Sequence, residues 1–140
     1  MVGILLDTCV ISELRRPQPD ASVVDRVMRI DTGNLFLSVI TIGEIVKGIE
    51  LLDSSERKRQ LEQWLLRLEQ DYADRLLSID TQVARIWGEL TARAQNHGIQ
   101  IPASDGLIAA TALRNGLHVM TRNSRHFAAT GAIVIDPWID

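Results

Sequence analysis

Short apolar runs alternate along the chain with longer segments whose apolar residues recur every three or four positions. Such runs predict β-strands, and the recurring pattern predicts amphipathic helices. The predicted strands are residues 2–6, 35–39, 76–79, 118–120 and 133–135. Strands that alternate with helices favour a parallel sheet covered by helices on both faces. The pattern therefore predicts an α/β fold.

The predicted helices begin and end at residues that commonly cap them. They cover residues 21 to about 30, 41–52, 56 to about 70, 81–97 and 103–115. Asp80 and the Asp53–Ser55 segment are typical of helix starts, and Gly116 is typical of the residue that follows a last turn. The helix over residues 103–115 is almost entirely apolar, so we expect it to be buried.

The length and composition favour one domain over residues 1–140, because a chain of this size can bury its own core. No apolar stretch reaches the roughly 18 residues of a membrane span, and residues 1–3 do not resemble a signal peptide. Cys9 is the only cysteine, which excludes an internal disulfide and favours the reducing cytoplasm.

The formal net charge of −3 argues against binding of polyanions through bulk electrostatics. Basic residues nevertheless cluster at Arg15–Arg16, at Arg57–Arg59 and at Arg122 with Arg125 and His126. For Arg57–Arg59 on a helix, a solvated face is the preferred interpretation. For Arg15–Arg16 and Arg122, a solvated face and a contact with phosphate both remain open.

Three carboxylates stand where predicted elements end or begin. Asp7 follows the first strand, Glu44 lies early in the helix after the second, and Asp105 lies in the first turn of the apolar helix. We expect these positions to fall at one edge of a parallel sheet, where gathered carboxylates repel unless a cation joins them. Carboxylate oxygens suit Mg²⁺ or Mn²⁺, whereas the three separated histidines do not form a zinc motif.

Each acid also has a structural alternative. Asp7 can cap the turn that follows its strand. Glu44 and Thr41 match a capping box, in which the glutamate bonds back to the first amide of its helix. Asp105 suits the positive end of a helix dipole. None of these alternatives explains why three acids fall at the same edge.

A hard divalent cation at this edge predicts chemistry on phosphodiesters. Such an ion lowers the pKa of bound water and holds phosphate oxygens during in-line attack. Thr8 and Thr121 are candidates to hydrogen-bond around the metal, and Arg122 is a candidate to hold a phosphate.

Four segments in order resemble the motifs of PIN-domain ribonucleases, and the resemblance covers the whole chain. The segments are residues 5–13, 38–45, 103–112 and 121–127, followed by a family-like tail at residues 136–138. Within that family the chain is most similar to the VapC-type toxins of type II toxin–antitoxin pairs, in the FitB-like branch.

The resemblance implies a PIN-like three-layer α/β/α sandwich with a central, mostly parallel sheet. It implies a metal-dependent endoribonuclease toxin in which Asp7 and Asp105 bind Mg²⁺ or Mn²⁺, while Glu44 and Asn123 complete the catalytic set. The implied partners are RNA as substrate, a cognate antitoxin that places a basic side chain in the site, and a second copy of the chain in a homodimer. Operator DNA would be bound only through the antitoxin.

Two positions depart from the family pattern. Cys9 stands where Asn is usual, and Asn123 stands where the fourth acid is often Asp. Cys9 is either a small buried thiol or a soft atom that changes metal preference and zinc sensitivity. The alternative function is a catalytically weak binding module that acts by complexing an antitoxin and DNA. A receiver-like phosphoryl acceptor is disfavoured, because Asp7 has no acidic neighbour.

Overall fold

The structure is a computed structural model that describes residues 1–139, so the last residue of the predicted domain, Asp140, lies outside the described residues. The described chain forms five short strands: β1 (Ile4–Leu6), β2 (Leu35–Ser38), β3 (Leu76–Leu77), β4 (His118–Met120) and β5 (Val134–Ile135). All pairings are parallel, in the order β3-β2-β1-β4-β5. The predicted α/β fold with a parallel sheet is confirmed.

Seven helices connect these strands within residues 1–139. They are α1 (Thr8–Arg15), α2 (Ala21–Met28), α3 (Val39–Glu50), α4 (Glu56–Asp71), α5 (Thr81–Asn96), α6 (Ala103–Asn115) and α7 (Ser124–Phe127). The side chains of Asp20, Ser55 and Asp80 cap α2, α4 and α5 by accepting hydrogen bonds from amides of the first turn. No helix in the described part of the chain is long and apolar enough to cross a membrane.

The side chains of the central strand β1 alternate between the two faces of the sheet, and helices cover both faces to give three layers. Ile4 and Leu6 of β1 join one buried cluster with residues of α1–α4, whereas Leu5 joins a second cluster with residues of α5 and α6. Successive side chains of a strand point to opposite faces, so both faces of this strand are covered. The predicted burial of the apolar helix is confirmed, since Ile108 and Ala109 of α6 are fully buried.

The structure corrects the predicted start of the helix after β2. Helix α3 begins at Val39 and not at Thr41, because Ser38 ends the strand and its Oγ accepts a hydrogen bond from the Ile40 amide at 3.0 Å. Thr41 is therefore a buried residue inside the helix. The capping-box alternative for Glu44 is wrong, because Ser38 already occupies the capping position.

Helices α1 and α7 were not expected from the sequence. Helix α1 begins at Thr8, directly after Asp7 at the end of β1, and α7 begins at Ser124, after the polar loop that follows β4. With four residues, α7 is too short to show a helical period. Both helices hold the loops that carry the polar residues of the sheet edge.

The central position of β1 places the candidate site. The strand lies between β2 and β4, and the sheet order reverses its direction there. The Asp7 amide donates to the carbonyl of Met120 at 2.9 Å, which holds the ends of β1 and β4 together. Ligands of open α/β sheets bind at such a switch point, beyond the carboxyl ends of the strands.

Two glycines give opposite expectations for stability. Gly116 follows α6 with φ of +66°, a left-handed conformation that a Cβ disfavours, so Gly116→Ala should lower the free energy of unfolding by about 1 kcal/mol. Gly88 lies exposed within α5, with no atom within 4 Å of an added Cβ. Gly88→Ala should therefore raise the free energy of unfolding by about 0.5–1 kcal/mol. Urea unfolding of both variants tests these signs, and equal shifts would contradict the assigned backbone conformations.

Candidate functional site

Asp7 is held by both of its carboxylate oxygens. Oδ1 accepts a hydrogen bond from the Thr8 amide at 2.8 Å, which caps α1, and Oδ2 accepts one from the Thr121 hydroxyl at 2.7 Å. The residue is only 3% exposed. The capping alternative for Asp7 is therefore correct for one oxygen, while the other oxygen is fixed by the loop after β4.

Thr121 and Cys9 join the first and last motifs around Asp7. The Thr121 hydroxyl also accepts a hydrogen bond from the Asn123 amide at 3.0 Å. The Cys9 thiol lies 3.7 Å from Asp7 Oδ2 and accepts from the Arg122 amide at 3.4 Å. Burial and the charge of Asp7 raise the pKa of the Cys9 thiol, so the protonated thiol is favoured. In the metal-free protein Cys9 is therefore a partly buried, neutral thiol beside Asp7.

Glu44 reaches the same region from α3. The Thr8 hydroxyl lies 2.5 Å from Glu44 Oε1 and 3.1 Å from the hydroxyl of the buried Thr41. Glu44 itself is exposed, so its carboxylate is fixed at one oxygen and remains accessible from solvent. The predicted residues Thr8 and Glu44 are thus directly linked.

Asp105 lies in the first turn of α6 and is 8% exposed. Its Oδ2 is 2.7 Å from Nδ1 of His126, whose side chain is 51% exposed. The sequence did not single out this histidine as a site residue and grouped it with the basic cluster near Arg122. The only sequence signal for it is its place in the motif that follows β4, because nothing local links it to an acid 21 residues earlier.

The three carboxylates influence one another electrostatically. Burial raises the pKa of Asp7 above its ordinary value, and the charge of Asp105 raises it further against the hydrogen bonds from Thr121 and Thr8. Burial also raises the pKa of Asp105, opposed by His126 and assisted by the charge of Glu44. The expected gathering of Asp7, Glu44 and Asp105 at one edge is consistent with these interactions.

The donor set fits a hard cation that keeps much of its water. Within residues 1–139, no three Asp, Glu, His or Cys side chains form a ready-made set of metal ligands. Mg²⁺ is commonly bound through one or two carboxylates plus water, so Asp7 and Asp105 fit this mode of binding. These donors are mainly oxygens and the chain has a single cysteine, so they do not form a zinc site built from soft ligands.

Arg122 and Asn123 lie at the rim of the site. The guanidinium of Arg122 lies 5.0 Å from the ring centroid of Trp138, a cation–π contact that holds the arginine against the tail of the chain. The side chains of Arg122 and Asn123 are exposed, and Asn123 joins the site through its backbone amide. The structure brings these two predicted residues near the carboxylates without a direct contact to them.

Residues 4–133 match the PIN domain family, and the chain belongs to that family. The toxin FitB of Neisseria gonorrhoeae is 41% identical over 141 residues, which cover 98% of this chain and 99% of FitB. The VapC ribonuclease Y4jK of Sinorhizobium fredii is 36% identical over 139 residues, covering 96% of this chain and 97% of that protein.

A solved structure of FitAB bound to a DNA fragment, IR36, is similar to the whole fold. It has a TM-score of 0.90 and 38% identity, and the match covers 96% of this chain and 95% of the solved chain. The predicted family and its three-layer architecture are therefore confirmed.

The raised pKa values predict how the metal-free protein responds to pH. An acid whose pKa is higher in the folded state stabilises the fold below its unfolded pKa, near 4, and this stabilisation is lost as the pH rises through the folded pKa. Asp7→Asn should therefore melt at a higher temperature than the parent at pH 7 without metal, and the difference should shrink toward pH 4.

The exposed Asp53 provides the control, because Asp53→Asn should melt at the same temperature as the parent at both pH values. Thermal melts by circular dichroism in a metal chelator make the comparison. A parent protein that is more stable than Asp7→Asn at pH 7 would contradict repulsion and burial as the dominant effects at this carboxylate.

Proposed function

We propose that this chain is a metal-dependent endoribonuclease and the toxin of a toxin–antitoxin pair. The observation that carries the proposal is the pair of buried, electrostatically coupled carboxylates Asp7 and Asp105 at the carboxyl edge of a PIN-domain sheet. The proposal is supported by relatives that are named as a toxin and as a ribonuclease.

Asp7 and Asp105 would hold Mg²⁺ or Mn²⁺ through lone pairs of their carboxylate oxygens that the hydrogen bonds leave free. When bound, such an ion lowers the pKa of a water molecule and stabilises the charge of the phosphodiester under attack. Thr121 fixes one oxygen of Asp7, and His126 fixes one oxygen of Asp105. Donors of this kind orient metal ligands and strengthen binding.

Glu44 is the best candidate to orient the attacking water, because its carboxylate is exposed and is held in place by Thr8. A carboxylate within hydrogen-bond reach of water can accept its proton as the bond to phosphorus forms. The exposed side chains of Asn123 and Arg122 would contact the RNA backbone. Arginine suits this contact because its planar fork matches phosphate oxygens.

The antitoxin would inhibit by placing a basic side chain among these carboxylates. A guanidinium there replaces the charge of the metal and blocks the phosphate position. The net charge of −3 does not favour DNA binding by the toxin itself, so operator DNA would be bound by the antitoxin. Cytoplasmic location, suggested by the single cysteine, stays a prediction.

Removal of either buried carboxylate should abolish RNA cleavage. We expect Asp7→Asn and Asp105→Asn each to lower kcat by at least about a hundredfold, since each removes a group that holds charge at the reacting phosphate. Asp53→Asn is the matched surface control and should retain parental activity. Cleavage of total RNA by purified protein with Mg²⁺, followed on gels, gives the rates.

The same assay tests the metal and the alternative function. Mn²⁺ should support cleavage, Ca²⁺ should support it poorly because of its larger and looser shell, and a chelator should remove it. Cleavage by Asp7→Asn at the parental rate would refute the role of that residue. A parent protein that cuts no RNA with any of these ions, yet binds its antitoxin, would instead support the binding module.

We also expect the chain alone to be a homodimer that does not bind operator DNA. One chain has a mass of 15.6 kDa, and light scattering at micromolar concentration should give twice that mass. A gel shift with the promoter fragment should require the antitoxin, because the toxin has no excess of positive charge. A monomer in solution would refute the first expectation, and a shift by the toxin alone would refute the second.

A further inference from the structure

A basic groove lies between the end of α1, the loop after it, and α4. Its volume is about 480 Å³, and its lining has four arginines and no acidic residue. The lining consists of Arg15, Arg16, Pro17, Arg57, Gln60, Leu61, Trp64 and Arg67, and we call it the arginine groove. It brings together two basic clusters that are about 40 residues apart in the sequence, at Arg15–Arg16 and at Arg57.

Most of this positive charge is not neutralised by the protein. Arg16 forms an ion pair with Glu13 at 3.2 Å. Arg57 and Arg67 are exposed and have no acidic partner in the described part of the chain. A local excess of positive charge in a chain whose net charge is −3 favours an anionic ligand at this place and not over the whole surface.

The groove also contains an aromatic surface. The Trp64 ring is half-buried against the core, and the guanidinium of Arg15 lies 5.7 Å from its centroid. Proteins that bind single-stranded nucleic acid combine cationic side chains that follow the backbone with planar groups on which bases stack. The guanidinium of Arg15, held over Trp64, is a planar group on which a base can stack, and the other arginines supply cations for the backbone.

A second cavity connects the arginine groove to the candidate site. It has about 180 Å³, shares Arg15, Leu61 and Trp64 with the arginine groove, and extends to Thr8 and Glu44. The two cavities therefore form one path from Glu44 to the exposed arginines. An extended ligand with one end at Glu44 could therefore follow the protein surface into the arginine groove.

We propose that the arginine groove binds the single-stranded RNA that flanks the scissile phosphate, an inference that rests on the proposed function. A strand held at Glu44 carries further phosphates on either side, and the acidic site repels them. The path through Trp64 to Arg57 and Arg67 gives these phosphates positive partners within reach. RNA is favoured over an acidic protein segment because the path begins at the reaction site and combines guanidinium groups with an aromatic ring.

Binding of a short fluorescein-labelled oligouridylate, measured by anisotropy in the inactive Asp7→Asn background, tests the proposal. Relative to that background, the added pair Arg57→Gln and Arg67→Gln should raise Kd about tenfold at low salt. The slope of log Kd against log salt should also fall by about 0.7 for each phosphate that the protein no longer neutralises. Adding Arg85→Gln and Arg93→Gln removes equal charge from exposed positions on α5, in the opposite layer, and should leave Kd unchanged.

The outcomes separate this inference from the proposed function. Equal Kd values and salt slopes for both charge pairs would overturn the arginine groove as an RNA site, even if the parent protein cleaves RNA. Unchanged RNA binding with loss of binding to a poly-glutamate peptide would overturn it in favour of an acidic protein partner. Failure of the parent to cleave RNA at all would refute the proposed function, independently of Kd. Circular dichroism melts confirm that each variant is folded.

Discussion

The arrangement of the site depends on keeping two ionisable carboxylates buried at one edge of the sheet. Both Asp7 and Asp105 lose hydration there, and each is subject to repulsion from another acid. Uncompensated buried charges are costly, so each carboxylate is held at one oxygen by a donor from the segment after β4. Thr121 and His126 therefore connect the stability of this edge with its chemistry.

This constraint explains why several hydrogen bonds hold the loop after β4 against Asp7. The Thr121 hydroxyl, the Cys9 thiol and the amides of Arg122 and Asn123 form a small network around Asp7. Its members come from the two ends of the chain, and the pairing of β1 with β4 brings them together. A buried network of this kind fixes one arrangement of the carboxylate.

Acidic and basic groups occupy separate parts of the surface, and this separation suits the binding of an RNA strand. Acidic groups occupy the sheet edge, while arginines of α1 and α4 lie along the groove that leads away from it. A metal ion at the edge would make the local electrostatic potential positive, so that it attracts a phosphate and does not repel it. The arginines need no metal, so encounter with RNA and cleavage would depend on different charges.

The sequence by itself determined the parallel α/β fold, because apolar strands and capped amphipathic helices are local patterns. It also indicated Asp7, Glu44 and Asp105, since strand ends and helix starts share an edge in any such sheet. Tertiary structure alone decided that Ser38 and not Thr41 caps α3, leaving Glu44 to meet Thr8. It alone placed His126 on Asp105 and joined two arginine clusters around Trp64. These contacts depend on strand order and helix packing, which local patterns of hydrophobicity do not encode.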